Sequence, residues 1–477
     1  MERYKKGGDR NQLSLLPMSL DDMIPECAEV RALEVIIDKM DIRSLGFINC
    51  ITKSTGRMPY DPVDMFKLYA YSYFNGIRSS RKIERECARN IELMWLIGGL
   101  KPDFKTIADF RKDNKNQIKA AFLKFTMICS GLGLTGKEII AVDGSKFRAS
   151  NSRLRYHTEK KVDKKIEYHS QCAEQYIALL DACDNEERDN PKYIKAELID
   201  KIDRIINRIT ELNKLKDDIK EKGTIYETDS GARMMHTNNY GADICHNVQI
   251  AVDDKNHMVV AVDVTSQPVD KEQLYNIASQ AKDNLEVEAL TVIADKGYYS
   301  AYQFAQCEDE DITPIVSKAD RSFMAVTEAY SKEAFKYDED RTGYVCPQGH
   351  FLKPYRMRET SKFAGHIRYV NKEACMNCSV RHLCTNGETR TINDRPYEEY
   401  ARMVDERTRE REEVYQQRKQ LAEHPFGTVK RGFGFSYFLT RGTESVRAES
   451  CLHFLVYNMK RAINIMGTSG LQRALQG

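Results

Sequence analysis

KEIIAVDGSKF, residues 137–147, places four apolar residues in a row, Ile139 to Val142, directly before an acid, Asp143. A short apolar run of this kind, rich in β-branched residues, predicts a buried strand. The pattern returns in ALTVIADKGYYS, residues 289–300, where an apolar run ends at Asp295. Between the two lies NVQIAVDDKNHMVVAVDVT, residues 247–265, which predicts a hairpin turned at Asp253-Asp254-Lys255-Asn256. DKEQLYNIASQAKDNL, residues 270–285, then reads as a helix with an acidic first turn. A helix near 300–309 and a strand at ITPIVSK follow.

The core order is therefore strand, hairpin, helix, strand, helix, strand, helix, with acids ending the first and fourth strands. That is the order of a ribonuclease-H-like α/β fold, in which those two strands lie side by side. Ligand sites in open α/β sheets form at the carboxyl ends of strands. Two carboxylates brought together there repel unless a cation neutralises them, and hard oxygen ligands favour Mg²⁺ or Mn²⁺. Taken singly, each acid has a plainer reading. Asp143-Gly144 suits a turn, and Asp295 suits a helix N-cap. Their matching positions at two strand ends favour a site.

Outward from this core, residues 1–135 read as a mostly helical domain. Residues 76–125 start with a polar Ser-Ser, continue as one amphipathic helix, break at Gly98-Gly99 and Pro102-Asp103, and resume as a second helix near Lys105. Arg78, Arg81, Lys82, Lys101, Lys105, Arg111, Lys112, Lys115 and Lys119 make this stretch basic. The pattern fits a helix-turn-helix-like DNA-binding unit, and fits equally a helical bundle with a solvated basic face. The first part of the ribonuclease-H-like core spans 136–320. It is interrupted at 152–222, where two heptad seams, Val162, Ile166, His169, Ala173, Tyr176, Leu180 and Leu198, Ile202, Ile205, Ile209, Leu212, Ile219, flank the turn-like DNEERDNP. An antiparallel coiled-coil hairpin buries each seam against the other. A Cys-rich insertion spans 321–395, and residues 396–477 hold a highly charged helix and a C-terminal amphipathic helix.

Composition sets the outer bounds. A chain of 477 residues predicts several structural units, and 41% hydrophobic with 30% charged residues suits a globular protein with a charged surface. The 73 basic and 71 acidic residues nearly cancel, so a nucleic-acid surface must come from local segregation of charge. MERYKKGGDRNQLS lacks the apolar core of a secretory signal and no run is long enough to span a bilayer, which places the chain in the cytoplasm, without a membrane partner. Thirteen cysteines there do not predict a disulfide framework. Four of them cluster: Cys346 in YVCPQGH, and Cys375, Cys378 and Cys384 in ACMNCSVRHLC. This spacing suits a structural Zn²⁺ held by four thiolates, with His350 or His382 as substitutes.

Composition does not select a third acid among Glu406, Glu410, Glu412, Glu413 and Glu423. Resemblance does. DGSK at 143–146, ADKGYYS at 294–300, and YQQRKQLAEHPFGTVKRGFGF from 415 resemble bacterial insertion-sequence transposases of the DDE class, in the group with a Tyr-Arg-Glu-Lys signature. RMPYDPVDMFKLYAYSYFNGIRSSRKIERE, NVQIAVD and RGTESVRAESCLHFLVYNMKRAI extend the likeness over most of the chain outside the coiled-coil insertion. Tyr415, Arg418, Glu423 and Lys430 match the signature, with four residues between Arg418 and Glu423 where three is the commoner gap.

The resemblance implies metal-dependent cleavage at transposon ends and strand transfer into target DNA. It implies that Asp143, Asp295 and Glu423 hold Mg²⁺ or Mn²⁺, and that Lys430 meets a phosphate near the cut. Arg418 and Tyr415 would orient the terminal DNA, and Lys296 would meet the backbone or stand as a surface lysine. With Arg81, Lys105 and Arg111 these form the expected DNA contacts. The partners implied are double-stranded DNA, as terminal inverted repeats and target, and a second copy on paired ends, with the protein at the nucleoid when bound. Three rival readings stand beside this one: a ribonuclease-H-like nuclease that cuts without joining, a non-catalytic DNA-binding protein, and an inactive transposase copy.

Overall fold

The computed structural model describes residues 18–48, 58–185, 191–237, 241–318, 327–356 and 367–476. The N-terminal stretch MERYKKGGDRNQLS and most of the turn DNEERDNP lie outside them.

Six helices come first: α1 (Glu29–Lys39), α2 (Pro62–Phe74), α3 (Ser80–Glu86), α4 (Ile91–Leu96), α5 (Phe104–Asp113) and α6 (Lys115–Gly131). Asp61 caps α2 with its carboxylate on the Val63 N–H, Pro62 follows at the first turn, and Asp103 caps α5. The single helix expected after Ser79-Ser80 is two helices. The chain leaves α3 at Cys87, and Asn90 starts α4 by accepting the Leu93 N–H. An Asn that can satisfy a free helical N–H makes a new start cheaper than continuing through it.

The sheet begins with β1 (Ile139–Arg148). Beyond it, β2 (Tyr156–His157) and β3 (Ile225–Tyr226) pair antiparallel at the foot of two long helices, α7 (Glu159–Asn185) and α8 (Pro191–Lys222). These helices contact each other and carry a small core of their own, in which Val162, Leu212 and Ile219 are buried. Of the heptad positions, Val162 and Leu198 are buried, while Ile166, His169, Tyr176, Ile202, Ile205 and Ile209 are half-buried.

The core continues with β4 (Arg233–Thr237), β5 (Gly241–Asp253), β6 (Val259–Thr265), α9 (Leu274–Leu285), β7 (Leu290–Ala294), α10 (Ala301–Glu308) and β8 (Ile312–Val316). Strand order is β4-β5-β1-β7-β8, with β6 also on β5. Pairs β1–β5 and β5–β6 are antiparallel, and β1–β7 and β7–β8 are parallel. The expected helix start needs correction, because α9 begins at Leu274 with no acid in its first turn. Asp270 and Glu272 precede it.

A second, five-stranded antiparallel sheet follows, β9 (Lys336–Asp338), β10 (Gly343–Val345), β11 (Phe351–Arg356), β12 (Ile367–Val370) and β13 (Thr391–Asp394), in chain order. Short helices α11 (Lys372–Met376) and α12 (Arg381–Cys384) lie between β12 and β13. The charged helix expected over 396–423 is two, α13 (Glu398–Glu410) and α14 (Glu412–Gly427), interrupted at Arg411. A π-helical turn, Thr428–Gly432, leads towards α15 (Thr443–Met466) and a last helix, α16 (Thr468–Gln476).

Strand alternation sends Ile140 and Val142 to one face of the sheet, where they pack with α9 and α10 residues such as Ala278 and Phe304. Ala141 and Ile293 face the other way, onto Leu421 and Ala422 of α14. That second face also carries Val248 and Ile250, which share one core with α2, α6 and α15. The N-terminal helices are thus built into the molecule. Arg78 lies over the rings of Phe435 and Tyr437, and its guanidinium reaches to 3.6 Å from the fully buried Glu449 of α15.

Candidate active site

The register of the parallel pair decides where the two aspartates stand. Val142 is abreast of Ala294, so Asp143 and Asp295 are the next residues along two adjacent strands. β7 stops there, but β1 does not. Asp143 pairs with Ile250, and the ladder with β5 runs on to Arg148 opposite Cys245. Asp143-Gly144 is therefore strand and not turn, because β5 offers a partner along its whole length. Asp143 lies where the parallel partner ends and the antiparallel one continues, on the face covered by α14.

Asp143 is half-buried, and burial pushes its carboxyl up to about 6. The Gly144 N–H, donated to its Oδ1 at 2.8 Å, and the charge of Arg418 oppose that shift, while Asp270 and Asp295 add to it. Asp295 is half-buried and accepts the Lys296 N–H at 2.8 Å, capping the 3-10 turn Lys296–Tyr298. The capping role and the strand-end position thus coexist in one residue. Arg418 of α14 sets a guanidinium nitrogen 3.8 Å from Asp295 Oδ1 and is the cation between the two acids. Lys296 is exposed.

Helix α14 carries Tyr415, Arg418 and Glu423, and its phase sorts them. At about 100° per residue, Arg418, Leu421, Ala422 and Pro425 share the side turned to the sheet. Leu421, Ala422 and Pro425 are buried, Tyr415 packs against the Ala141–Ile293–Ile315 cluster, and Glu423 is exposed. The extra residue between Arg418 and Glu423 turns Glu423 to the flank of the helix and puts Ala422 directly over the sheet. Lys430, on the π-helical turn, is drawn inward: Nζ donates to Ser145 Oγ at 2.6 Å and to the Lys146 carbonyl at 2.8 Å, 4.2 Å from the Phe147 ring centroid. Burial pulls its amine down to about 8.

Beneath the aspartates, on the α9 face, sits a polar cluster that sequence reasoning missed. Asp270 Oδ1 accepts from Asn247 Nδ2 at 2.6 Å, Gln249 Nε2 at 2.8 Å and Lys146 Nζ at 3.2 Å. Tyr298 donates its hydroxyl to Gln249 Oε1. A Cβ on Gly144 would fall 2.7 Å from Asp270 Oδ1 and closer still to Gln249 Nε2. The only signal in the sequence was the Asp-Gly pair, whose glycine is needed for space and not for a turn.

The donor chemistry of Asp143 and Asp295 suits a divalent ion: two carboxylates at one strand edge, balanced in part by Arg418 and, for Asp143, by the charge of Lys430. Among the described residues, no three His, Cys, Asp or Glu side chains are already gathered closely enough to hold one. Glu423 would have to turn in from the helix flank. In the N-terminal domain, Arg81 and Lys105 are exposed, with Arg81 4.5 Å from the Phe104 ring centroid. Arg111 is turned inward, donating to Tyr73 Oη at 2.6 Å, and Tyr73 and Glu449 hold its charge against burial. The four clustered cysteines are free thiols lining one cavity of about 30 Å³, together with His350. His382 does not line it. No helix among the described residues is long and apolar enough to cross a membrane.

Two stretches of the chain match known families. Residues 18–113 match the family described as Transposase domain (DUF772), and residues 345–463 match the family described as Transposase DDE domain. The first covers α1 to α5; the second holds the cysteines, Glu423 and α15, while Asp143 and Asp295 lie between the two. No curated protein sequence matches the chain. Among solved structures, the cryo-EM structure of piggyBac transposase synaptic complex with hairpin DNA aligns with 94% of this chain and 79% of that one, at 8% identity and a TM-score of 0.32.

Proposed function

We propose that this protein, similar at both ends to transposase domains, is a DDE transposase that cuts DNA at transposon ends and joins them to target DNA. The observation that carries the proposal is the register Val142–Ala294, which leaves Asp143 and Asp295 side by side at the end of a parallel strand pair. The order β6-β5-β1-β7-β8, antiparallel through β1 and parallel beyond it, supports a ribonuclease-H-like core. The family matches support a transposase role.

In this reading Asp143 and Asp295, with Glu423 swung in from α14, hold Mg²⁺ or Mn²⁺ by oxygen donors. Such ions, when bound, make water or a 3′-hydroxyl nucleophilic and stabilise the departing oxygen of a phosphodiester. The chain's own residues prepare the place. Burial keeps Asp143 from hydrating freely, so the carboxylate pair has an unmet demand for positive charge. Arg418 meets part of it in the free protein and is placed to meet a DNA phosphate once the acids have another cation. Lys430 and Tyr415 fasten the last helix to β1 and the sheet, which fixes the height of Arg418 above the acids. Arg81 and Lys105 offer exposed charge for DNA backbone away from the cut, and Lys296 does so beside it. Two ends must be paired before joining, so a homodimer on paired ends is part of the proposal.

Incubation of the protein with labelled element-end DNA and target plasmid in Mg²⁺ or Mn²⁺ tests this. Nicked ends and joined products are expected. Cutting with no joined product would leave a nuclease, and binding without cutting under either metal would leave a DNA-binding protein.

A further inference from the structure

The Cys-rich sheet, β9 to β13, has little to hold it together. Among the described residues its core holds five buried side chains, Phe335, Tyr344, Leu352, Tyr369 and Ile392, with Tyr337, Ile367, Cys346 and Cys384 packed against them. A unit of this size needs a staple beyond its apolar core. The staple is not a disulfide, since the clustered cysteines are all free thiols.

Their backbone is arranged as metal ligands need it. At Cys346-Pro347-Gln348-Gly349-His350 the chain folds back on itself: Gly349 N–H donates to Cys346 O at 2.8 Å, and Cys346 N–H to His350 O at 2.9 Å. The turn requires Gly349 at a φ of +83°, where a side chain would be strained. It aims the His350 N–H at Cys346 Sγ, 3.3 Å away. A backbone N–H pointed at sulfur stabilises a thiolate, because the charged sulfur is the better acceptor. Cys375 lies in α11, Cys378 follows in the turn closed by Cys378 N–H on Cys375 O at 3.3 Å, and Cys384 ends α12. All four sulfur-bearing residues line the same small cavity, with apolar Phe335 and Leu352 around them.

We propose that Cys346, Cys375, Cys378 and Cys384 form a structural zinc site that closes this module. Four soft thiolates fill a tetrahedral shell and leave no open position, so the ion serves folding and not the cutting reaction. Binding releases the thiol protons to solvent. Among the described residues no such ligand group is already gathered around one point, so closing the shell draws the four thiols together into the cavity they share. The consequence reaches the catalytic helix. β13 ends at Asp394, which accepts from Tyr344 Oη, from Lys332 Nζ at 2.9 Å and from Arg402 Nη1 of α13 at 3.0 Å. A closed module therefore sets α13, and α13 leads directly into α14.

The test is metal analysis of the full-length protein, purified under reducing conditions without chelator. About one zinc per chain is expected, against almost none in Cys375→Ser/Cys378→Ser and an unchanged amount in Cys172→Ser. Should the double variant fail to fold, titration of the wild type with a mercurial serves instead, and one zinc should leave as four thiols are modified. Wild type without stoichiometric zinc, or zinc that survives loss of both cysteines, overturns the site. Neither result depends on DNA cleavage, so the site and the proposed reaction stand or fall separately.

Discussion

At Asp143 the sequence suggested two roles, strand end and turn, and the molecule uses neither in its simple form. The residue stays in strand because Cys245 to Ile250 of β5 run beside β1 beyond the point where β7 stops. Its glycine neighbour is there because Asp270, Gln249 and Tyr298 occupy the space a side chain would take. Neither fact is local, so neither was legible in an Asp-Gly pair. An acid in this position is costly when no metal is present: burial disfavours its charged form and lifts the carboxyl to about 6. Asp143→Asn removes that cost while keeping shape. In chelator at pH 7 the variant should unfold at higher denaturant than wild type, by about 1–3 kcal/mol, and should cut no DNA. Equal or lower stability would mean that Asp143 is better solvated than its burial implies.

Periodicity found the elements, and capping chemistry decided where they ended. The hairpin at β5 and β6 and the strand at β7 were legible because apolar alternation and turn residues agreed. Helix starts were not, since Asn90 and Arg411 divide runs whose apolar spacing continues across them. Asp270 reads in the sequence as part of a helix and instead stands free of it, which hides its place beneath the acids. Joints between elements depend on buried charge of the same hidden kind. Asp229, before β4, hydrogen-bonds the buried His246 of β5 at 2.9 Å and accepts the Gly442 N–H at the start of α15 at 3.0 Å. Burial alone would raise its carboxyl, but His246 and the backbone donors prevail and hold it below its ordinary value. A depressed carboxylate stabilises above its unfolded pKa and loses that contribution as pH falls through the folded value. Asp229→Asn should therefore cost about 3 kcal/mol at neutral pH, and the two proteins should converge in acid unfolding below the wild type's folded-state value. A gap that persists in strong acid would show that the effect is packing and not charge.

On the scale of the whole molecule, a helical hairpin is inserted into an α/β core that the N-terminal and C-terminal helices clasp from one side. Two long helices that contact each other were legible in the heptad seams, though of those seam residues their shared core buries only Val162, Leu212 and Ile219. The clasp was not, since Arg78 and Glu449 are separated by most of the chain. The hairpin stands on the pair His157–Ile225 and has its own small core. Replacing residues 158–224 with Asn-Gly should leave the thermal midpoint within about 4 °C of wild type, and an unfolded or aggregated product would mean that the core leans on it. The central claim concerns the other end of the molecule, where two strands bring two acids together. Its most direct test is the initial rate of metal-dependent cleavage of labelled element-end DNA by wild type, Asp143→Asn and Asp295→Asn, each confirmed folded. Loss of cutting in both variants, with DNA binding kept, is the predicted result. Cleavage by either variant at the wild-type rate would contradict the account and move the chemistry elsewhere in the chain.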